Sequence, residues 1–355
     1  MKVLVVTHSP SPYQVELFDG VAKAGVSLEV SYLHSRDANR LWRGVAPNHN
    51  FTLLADDESY LSLQRSLKRF DLVVFNYYQC RRTLTLLRQR HSSGLPWCFW
   101  GERPGFHGLG RFGRLYRRWR LSAIRRTSAP VWGLGKWAVD GYRSEFGPNR
   151  LYLNVPYFSD LSRFKRTVRQ QRGEGLTILF SGSLVLRKGI DVLAKAFRRL
   201  AKEQPGISLI ILGVGELQRD LQRILAAHEH QVRFVGFRDW EALPEIYRSA
   251  DVLCAPSRYD GWNLAVPEGL AASLPVVATD RTGAALDLIR SGHNGWIVPA
   301  GDADALYETL RSVARMTPAQ LEHHSSCAAE SISNHTLDHG VNRFCSALQA
   351  SIESF

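Results

Sequence analysis

Apolar residues along this chain come in short unbroken runs, each followed by a stretch with helical spacing. In the first half, runs at 3–7, 28–33, 71–75, 96–100 and 131–134 predict strands. Helical spacing through Val15, Leu17, Phe18 and Val21 predicts a helix after the first run, with others at 83–90 and 114–126. The second half restarts the rhythm. It has strands at 176–180, 208–212, 232–235, 252–255, 276–279 and 295–298, and helices at 190–203, 217–228, 241–250, 268–272, 284–290 and 302–314. A strand that is apolar at successive positions has no polar face, so both its faces must be covered. Such strands alternating with helices predict parallel sheets flanked by helices.

The alternation is interrupted once, between 164 and 175, where Lys165, Arg166, Arg169, Gln170, Gln171, Arg172 and Gly173 form a polar break suited to a linker. The expected architecture is α/β: two Rossmann-like, doubly wound domains facing an interdomain cleft. They would span 1–165 and 166–335, with a C-terminal helix at 336–355 packing back on the first domain. Ligands of such sheets bind at the carboxyl ends of the strands.

Charge divides the same way. The 355 residues carry a net +12, yet residues 1–165 hold 25 basic and 12 acidic side chains while 166–355 hold 20 and 21. The basic half favours an anionic partner such as nucleic acid, acidic lipid or a phosphorylated substrate. Its densest run is 111–126. Helical spacing there puts Phe112, Leu115, Tyr116, Trp119 and Ala123 on one face and Arg114, Arg117, Arg118 and Arg125 on the other. One reading is a helix packed by its apolar face with solvated arginines. The other is a surface for anionic lipid or a lipid-linked acceptor.

The five cysteines are odd in number and lack C-x-x-C spacing, which fits a reducing compartment better than a disulfide framework or a zinc ribbon. No apolar stretch approaches the roughly 20 residues that span a bilayer, and the start of the chain has no signal-peptide apolar core. The expectation is a cytoplasmic protein, peripheral on the inner face of the cytoplasmic membrane.

Two motif matches lose their force in context. Residues 108–113 spell G-x-G-x-x-G, but Glu102-Arg-Pro104 separates them from the preceding strand and no acid follows before Asp140. Asp302-Ala-Asp304 suits the first turn of a helix better than a metal site. No metal and no cofactor is expected.

The informative stretch is 255–279, APSRYDGWNLAVPEGLAASLPVVAT. A strand ends at Cys254, a loop with Gly261 follows, and Pro267 stands in the first turn of the next helix. Asp260 and Glu268 therefore flank a loop whose backbone N–H groups, across Gly261, Trp262, Asn263 and Leu264, form an anion site suited to a diphosphate. This stretch resembles family 4 of the retaining glycosyltransferases, which have the GT-B fold and carry E-x7-E between a P-S-x-x-E-G element and an E-A-x-A-x-G-x-P-V-V-A-T element. The resemblance continues in 180–191, FSGSLVLRKGID, similar to the family's G-R-L-x-x-x-K-G-x-D, and in 209–216, LIILGVGE, similar to L-x-I-x-G-x-G. It extends to V-x-F-x-G at 232–236, Y-x-x-A-D at 247–251 and the N-V-P stretch at 154–164. The match is strong in the second half and weak in the first.

The resemblance implies transfer of a sugar from a nucleotide-diphosphate donor, with retention and without metal, to a glycan or lipid-linked acceptor. Lys188, Asp260 and Glu268 would carry the chemistry. Lys188 would hold the donor phosphates, Glu268 the ribose hydroxyls and Asp260 a donor-sugar hydroxyl. Ser183, Arg187, Gly213, Gly215 and the 261–264 loop would complete the donor site. No protein base is named, since a donor phosphate oxygen suffices. Two departures stand out: Asp260 replaces a Glu, and Ser183 replaces the phosphate-binding Arg, which leaves Arg187 as the substitute cation. In the first half, Ser9-Pro-Ser-Pro-Tyr-Gln14 is similar to the P-x-P-Y opening of a family subgroup. Pro12, Tyr13 and Gln14, with Glu102 and Arg103, are the expected acceptor residues. Two other readings remain open. One is a non-hydrolysing nucleotide-sugar epimerase of the same fold. The other is a nucleic-acid-binding protein using Tyr77, Tyr78, Arg81 and Arg82, although no recognition motif is present and the second half would have no task.

Overall fold

The structure, a computed structural model, describes residues 1–36, 45–105, 113–165 and 175–355. The G-x-G-x-x-G match up to residue 112 and most of the polar break lie outside the described residues.

The chain forms two units, Met1–Asp160 with His335–Phe355, and Leu161–Asn334. The first is built on a seven-stranded parallel sheet. Its strands and helices run β1 (Lys2–Thr7), α1 (Pro12–Lys23), β2 (Ser27–Tyr32), β3 (Asn50–Leu53), α2 (Asp57–Ser66), β4 (Leu72–Phe75), α3 (Arg81–Ser92) and β5 (Trp97–Gly101). They continue with α4 (Gly113–Arg120), α5 (Ser122–Arg125), β6 (Val131–Gly133), α6 (Lys136–Phe146) and β7 (Tyr152–Asn154). The sheet order is β3-β2-β1-β4-β5-β6-β7. Val3 to Val6 and Leu72 to Phe75 are fully buried, as strands covered on both faces require.

The second unit has a six-stranded parallel sheet. Its elements are β8 (Thr177–Ser181), α7 (Ile190–Glu203), β9 (Ser208–Leu212), α8 (Gln218–Leu225), β10 (Val232–Gly236), α9 (Leu243–Arg248) and β11 (Val252–Ala255). They are followed by α10 (Ala265–Ala271), β12 (Val276–Thr279), α11 (Gly283–Leu288), β13 (Gly295–Val298), α12 (Ala303–Ala314) and α13 (Pro318–Ser331). The order is β10-β9-β8-β11-β12-β13. α7 supplies Ile190, Leu193, Ala194, Phe197 and Leu200 to its core. Asp302 caps α12, accepting from the N–H groups of Asp304 and Ala305, and Asp304 pairs with Arg199, so this D-x-D serves the helix terminus. The unit begins at Leu161 rather than 166, because a 3₁₀ turn at Leu161–Phe164 packs on α9 and α10, with the Phe164 ring 5.1 Å from that of Tyr247.

The chain then re-enters the first unit as α14 (Leu337–Glu353), which lies against α1. Gly20 makes this approach feasible, since a Cβ there would sit 2.5 Å from Val341 Cγ2. Phe344 is fully buried, its ring 5.2 Å from Trp132, 5.4 Å from Trp100 and 6.0 Å from Phe18. Trp132 Nε1 donates to Ser351 Oγ at 2.9 Å, and Arg343 Nε to the Asn154 carbonyl at 2.6 Å.

One expectation is overturned. The continuous helix expected at 114–126 is two helices broken at Leu121, and of the two readings of its apolar face the packed one fails in the first segment, where Leu115, Tyr116 and Trp119 point outward. Leu115 is 64%, Tyr116 43% and Trp119 68% exposed, while Leu121 and Ile124 are buried in their stead. Arg117, expected on the solvent side, is turned inward onto Glu145 at 2.7 Å. The break at Leu121 separates the two segments, so one continuous helical wheel does not describe them.

All five cysteines are free. Among the described residues no helix is long and apolar enough to cross a membrane.

Candidate functional site

In the second sheet β8 and β11 are neighbours, but β8 leads on to β9 at one side and β11 to β12 at the other. This is the switch point of the topology, where loops leave in opposite directions and open a crevice. The loops concerned are 182–189 after β8 and 256–264 after β11.

The β8 loop carries a 3₁₀ turn, Leu186–Lys188, closed by Gly189 at φ +69°. A Cβ on Gly189 would lie 1.8 Å from the Pro256 carbonyl oxygen, so the turn is pressed against the β11 loop. Lys188 is buried, and its Nζ donates to Asp260 Oδ2 at 2.5 Å. Arg187, half-exposed, places Nη1 3.7 Å from the same oxygen and donates to the Tyr259 carbonyl at 3.1 Å. Two cations and one carboxylate thus share one corner of the crevice. Ser183 stands at the start of this loop. Gly213 and Gly215 lie in the adjacent turn after β9, where added Cβ atoms would meet the Gly182 and Leu184 carbonyl oxygens at 2.0 and 2.5 Å. Their visible role is to let two loop backbones touch.

In the β11 loop, the Asp260 N–H donates to the Arg281 carbonyl, and the Gly283 N–H to the Asp260 carbonyl. Trp262 is buried beneath the loop, and Asn263 adopts φ +74°, in the left-handed region that few side chains accept. Leu264 then precedes α10, and Glu268 sits in its first turn. Glu268 is 6% exposed, and Oε2 accepts a 2.7 Å hydrogen bond from the Tyr247 hydroxyl. Burial pushes its carboxyl up to about 7, against the opposing pull of Tyr247, Arg163 and Lys188. The Tyr247 phenol is raised by its own burial and by Glu268.

In the first unit the switch point lies between β1 and β4. Pro12 opens α1 and is buried, and Tyr13 packs on Tyr157 with ring centroids 4.7 Å apart. Gln14, expected to face an acceptor, is instead an internal brace: Oε1 accepts from Ser11 Oγ at 2.9 Å, and Nε2 donates to Asn76 Oδ1 at 2.8 Å. Arg103 Nη1 donates to the Trp137 carbonyl at 2.8 Å and the guanidinium lies over the Trp137 ring. Glu102 is exposed, and its carbonyl accepts from the Tyr142 hydroxyl. At the crevice mouth His8, after β1, meets Tyr77, after β4, with rings 4.9 Å apart, and His34 at 4.8 Å. A cavity of about 130 Å³ lies nearby among Tyr78, Gln79, Pro104, Tyr116, Arg117 and Leu121. His8, Asn76 and Tyr77 come together only in the fold. Their signal was position, immediately after the strands that flank a topological switch.

Residues 162–330 match the family model for glycosyl transferases group 1. The second unit belongs to that family. Among curated relatives of this glycosyl transferase unit, the putative colanic acid biosynthesis glycosyltransferase WcaL of Salmonella typhimurium is 27% identical over 54% of this chain and 49% of its own length. The GDP-mannose-dependent alpha-(1-6)-phosphatidylinositol monomannoside mannosyltransferase of Mycolicibacterium smegmatis is 31% identical over 53% of this chain and 54% of its own. The chain spans about half the length of the curated relatives it matches. Among solved structures, Anabaena HepE in complex with UDP superposes with a TM-score of 0.79 at 17% identity, covering 99% of this chain and 100% of that one. Two parallel-sheet Rossmann-like domains, the GT-B arrangement, are therefore common to both.

Proposed function

We propose that this protein transfers a sugar from a nucleotide-diphosphate donor to a glycan or lipid-linked acceptor, with retention of anomeric configuration and without a metal ion. The observation that carries this reading is the corner formed by Lys188, Arg187 and Asp260 beside the buried Glu268, at the switch point of the second sheet. Departure of the leaving group builds negative charge on the diphosphate. Lys188 and Arg187, already gathered in one corner, would stabilise that charge. The free oxygen of Glu268 is left for ribose hydroxyls, and Asp260 would take a donor-sugar hydroxyl once Lys188 turns to phosphate. The functions named for WcaL and the mannosyltransferase support polysaccharide or glycolipid acceptors. The spacing of Asp260 and Glu268, similar to E-x7-E, supports retention.

The outward face of α4 supports an anionic membrane surface as the place of work. Leu115, Tyr116 and Trp119 are exposed beside Arg118, and Arg126 is exposed on the following segment. Apolar side chains enter the headgroup boundary while neighbouring cations meet anionic lipid.

The test is a thermal-shift panel of nucleotide-diphosphate sugars, followed by product analysis with and without acceptor. A donor at 100 times its Kd adds about 2.7 kcal/mol of stability. A stabilising donor whose sugar moves to acceptor with its anomeric configuration kept, in the presence of a chelator, meets the proposal. An altered free nucleotide sugar without acceptor would favour the epimerase.

A further inference from the structure

We propose that Arg258 is a positioning residue of the donor site, fixing the Leu186–Lys188 turn in the shape that presents Lys188 and Arg187 to a diphosphate. This rests on the reading of that turn as the phosphate contact.

The turn is three residues long and is closed by two backbone hydrogen bonds, Lys188 N–H to the Val185 carbonyl and Gly189 N–H to the Leu186 carbonyl, so its placement depends on what it leans against. Arg258 ties it to the β11 loop and to α7 together, beside the Lys188–Asp260 and Arg187–Tyr259 contacts. Its Nη1 and Nη2 donate to Asp191 Oδ1 and Oδ2 at 2.5 and 2.7 Å, a two-pronged pair with the first turn of α7, three residues after Lys188. Nη1 also donates to the Leu186 carbonyl at 2.8 Å, and the Arg258 backbone N–H to the Arg187 carbonyl at 2.9 Å. One side chain and its own amide therefore reach both ends of the turn. Burial opposes ionisation of Asp191, but the hydrogen bonds and charge of Arg258 outweigh it and hold the carboxyl below its ordinary range.

The pairing is reciprocal between the two loops. The β8 side gives a cation, Lys188, to the acid of the β11 side, Asp260. The β11 side gives a cation, Arg258, to the acid of the β8 side, Asp191. The two pairs differ in geometry. Lys188 makes a single-point contact from a flexible stem, which a competing phosphate can take over. Arg258 is a planar fork matched to a carboxylate and a carbonyl, which is hard to displace and which lysine cannot reproduce. The first pair is therefore built to exchange partners and the second to stay. Because its guanidinium is engaged with Asp191, Arg258 acts through Lys188 and Arg187 and does not itself take the phosphate.

The test is calorimetric binding of UDP, GDP and ADP to the full chain, continued with whichever binds wild type. Arg258→Lys keeps the charge and loses the fork. Its Kd is expected to rise about tenfold, whereas in a background carrying both Lys188→Met and Arg187→Met the same substitution should shift Kd by less than about twofold, because both groups it positions are gone. Asp191→Asn provides the same comparison if Arg258→Lys does not fold. An unchanged Kd for Arg258→Lys overturns the proposal. So does an equal loss with and without those two cations, which marks a general structural role. Failure of wild type to bind any of the three nucleotides is a different result, and removes the donor reading together with this proposal.

Discussion

The Tyr247 hydroxyl donates to Glu268 Oε2 across 2.7 Å, in a pocket where both groups are buried. The hydrogen bond comes from α9 and the carboxylate from α10, so the second acid of the site is held by a neighbour outside the crevice loops. One carboxylate oxygen is thereby occupied and oriented before any ligand arrives.

Tyr247→Phe should therefore preserve packing and remove one donor to a buried carboxylate. The expected cost is about 1–3 kcal/mol in denaturant unfolding. It should be larger at pH 8 than at pH 6, because the ionised acid needs that donor more than the neutral one. Equal costs at both pH values would show that the hydroxyl contributes nothing to the charge state of Glu268.

The pH dependence of stability follows from the same acid. Its folded value of about 7 lies above its ordinary 4.5, so the folded state keeps a proton that the unfolded chain has released. Stability is thus expected to fall as pH rises from 4.5 to 7 and to level off above 7, by roughly 3 kcal/mol for this group. Glu268→Gln should flatten that limb in a series of urea titrations. Donor affinity should run the other way and rise through pH 7, since ribose hydroxyls donate best to the ionised form.

Lys188→Ala should lower kcat/KM by about 10²–10³ fold, the loss typical of one preorganised charge at a developing anion. Activity within about threefold of wild type would sink the assignment. Asp260→Glu lengthens the acid that Lys188 meets. Retained turnover would place Asp260 in donor contact, whereas complete loss would mean that the corner is built around the shorter side chain.

On α4, Leu115→Glu and Trp119→Glu change side chains that are already in solvent, so stability should move by no more than about 0.5 kcal/mol. Flotation with phosphatidylglycerol vesicles should fall sharply for either variant, and wild-type binding should weaken at high salt. Salt-insensitive binding, or equal flotation of the variants, would reject α4 as the contact.

The strands at Val3–Val6, Leu72–Phe75 and Val252–Ala255 were legible because residues buried on both faces leave an unbroken apolar run. Lys188 stood out only through the resemblance of 180–191 to a family motif, and Asp260 and Glu268 also by flanking a loop at a helix start; the structure brings Lys188 and Asp260 into contact. What stayed hidden depends on which strands become neighbours. Arg258 and Asp191 are 67 residues apart and meet because β8 and β11 pair, and Tyr247 reaches Glu268 for a similar reason. Amphipathic spacing in 111–126 separated two faces but held no information on which side the core lies. The Leu121 break then rotated the first segment outward.

The return of α14 to the first unit has a consequence for biosynthesis. Residues 161–334 form the whole second unit without a break, yet they are translated between the two parts of the first. The second unit can fold as it leaves the ribosome. The first must hold its sheet with the groove for Phe344 open, Trp100 and Trp132 uncovered, until those residues follow. The second unit is thus finished before the first, and the aromatic groove is where chaperones and proteases would meet the incomplete chain.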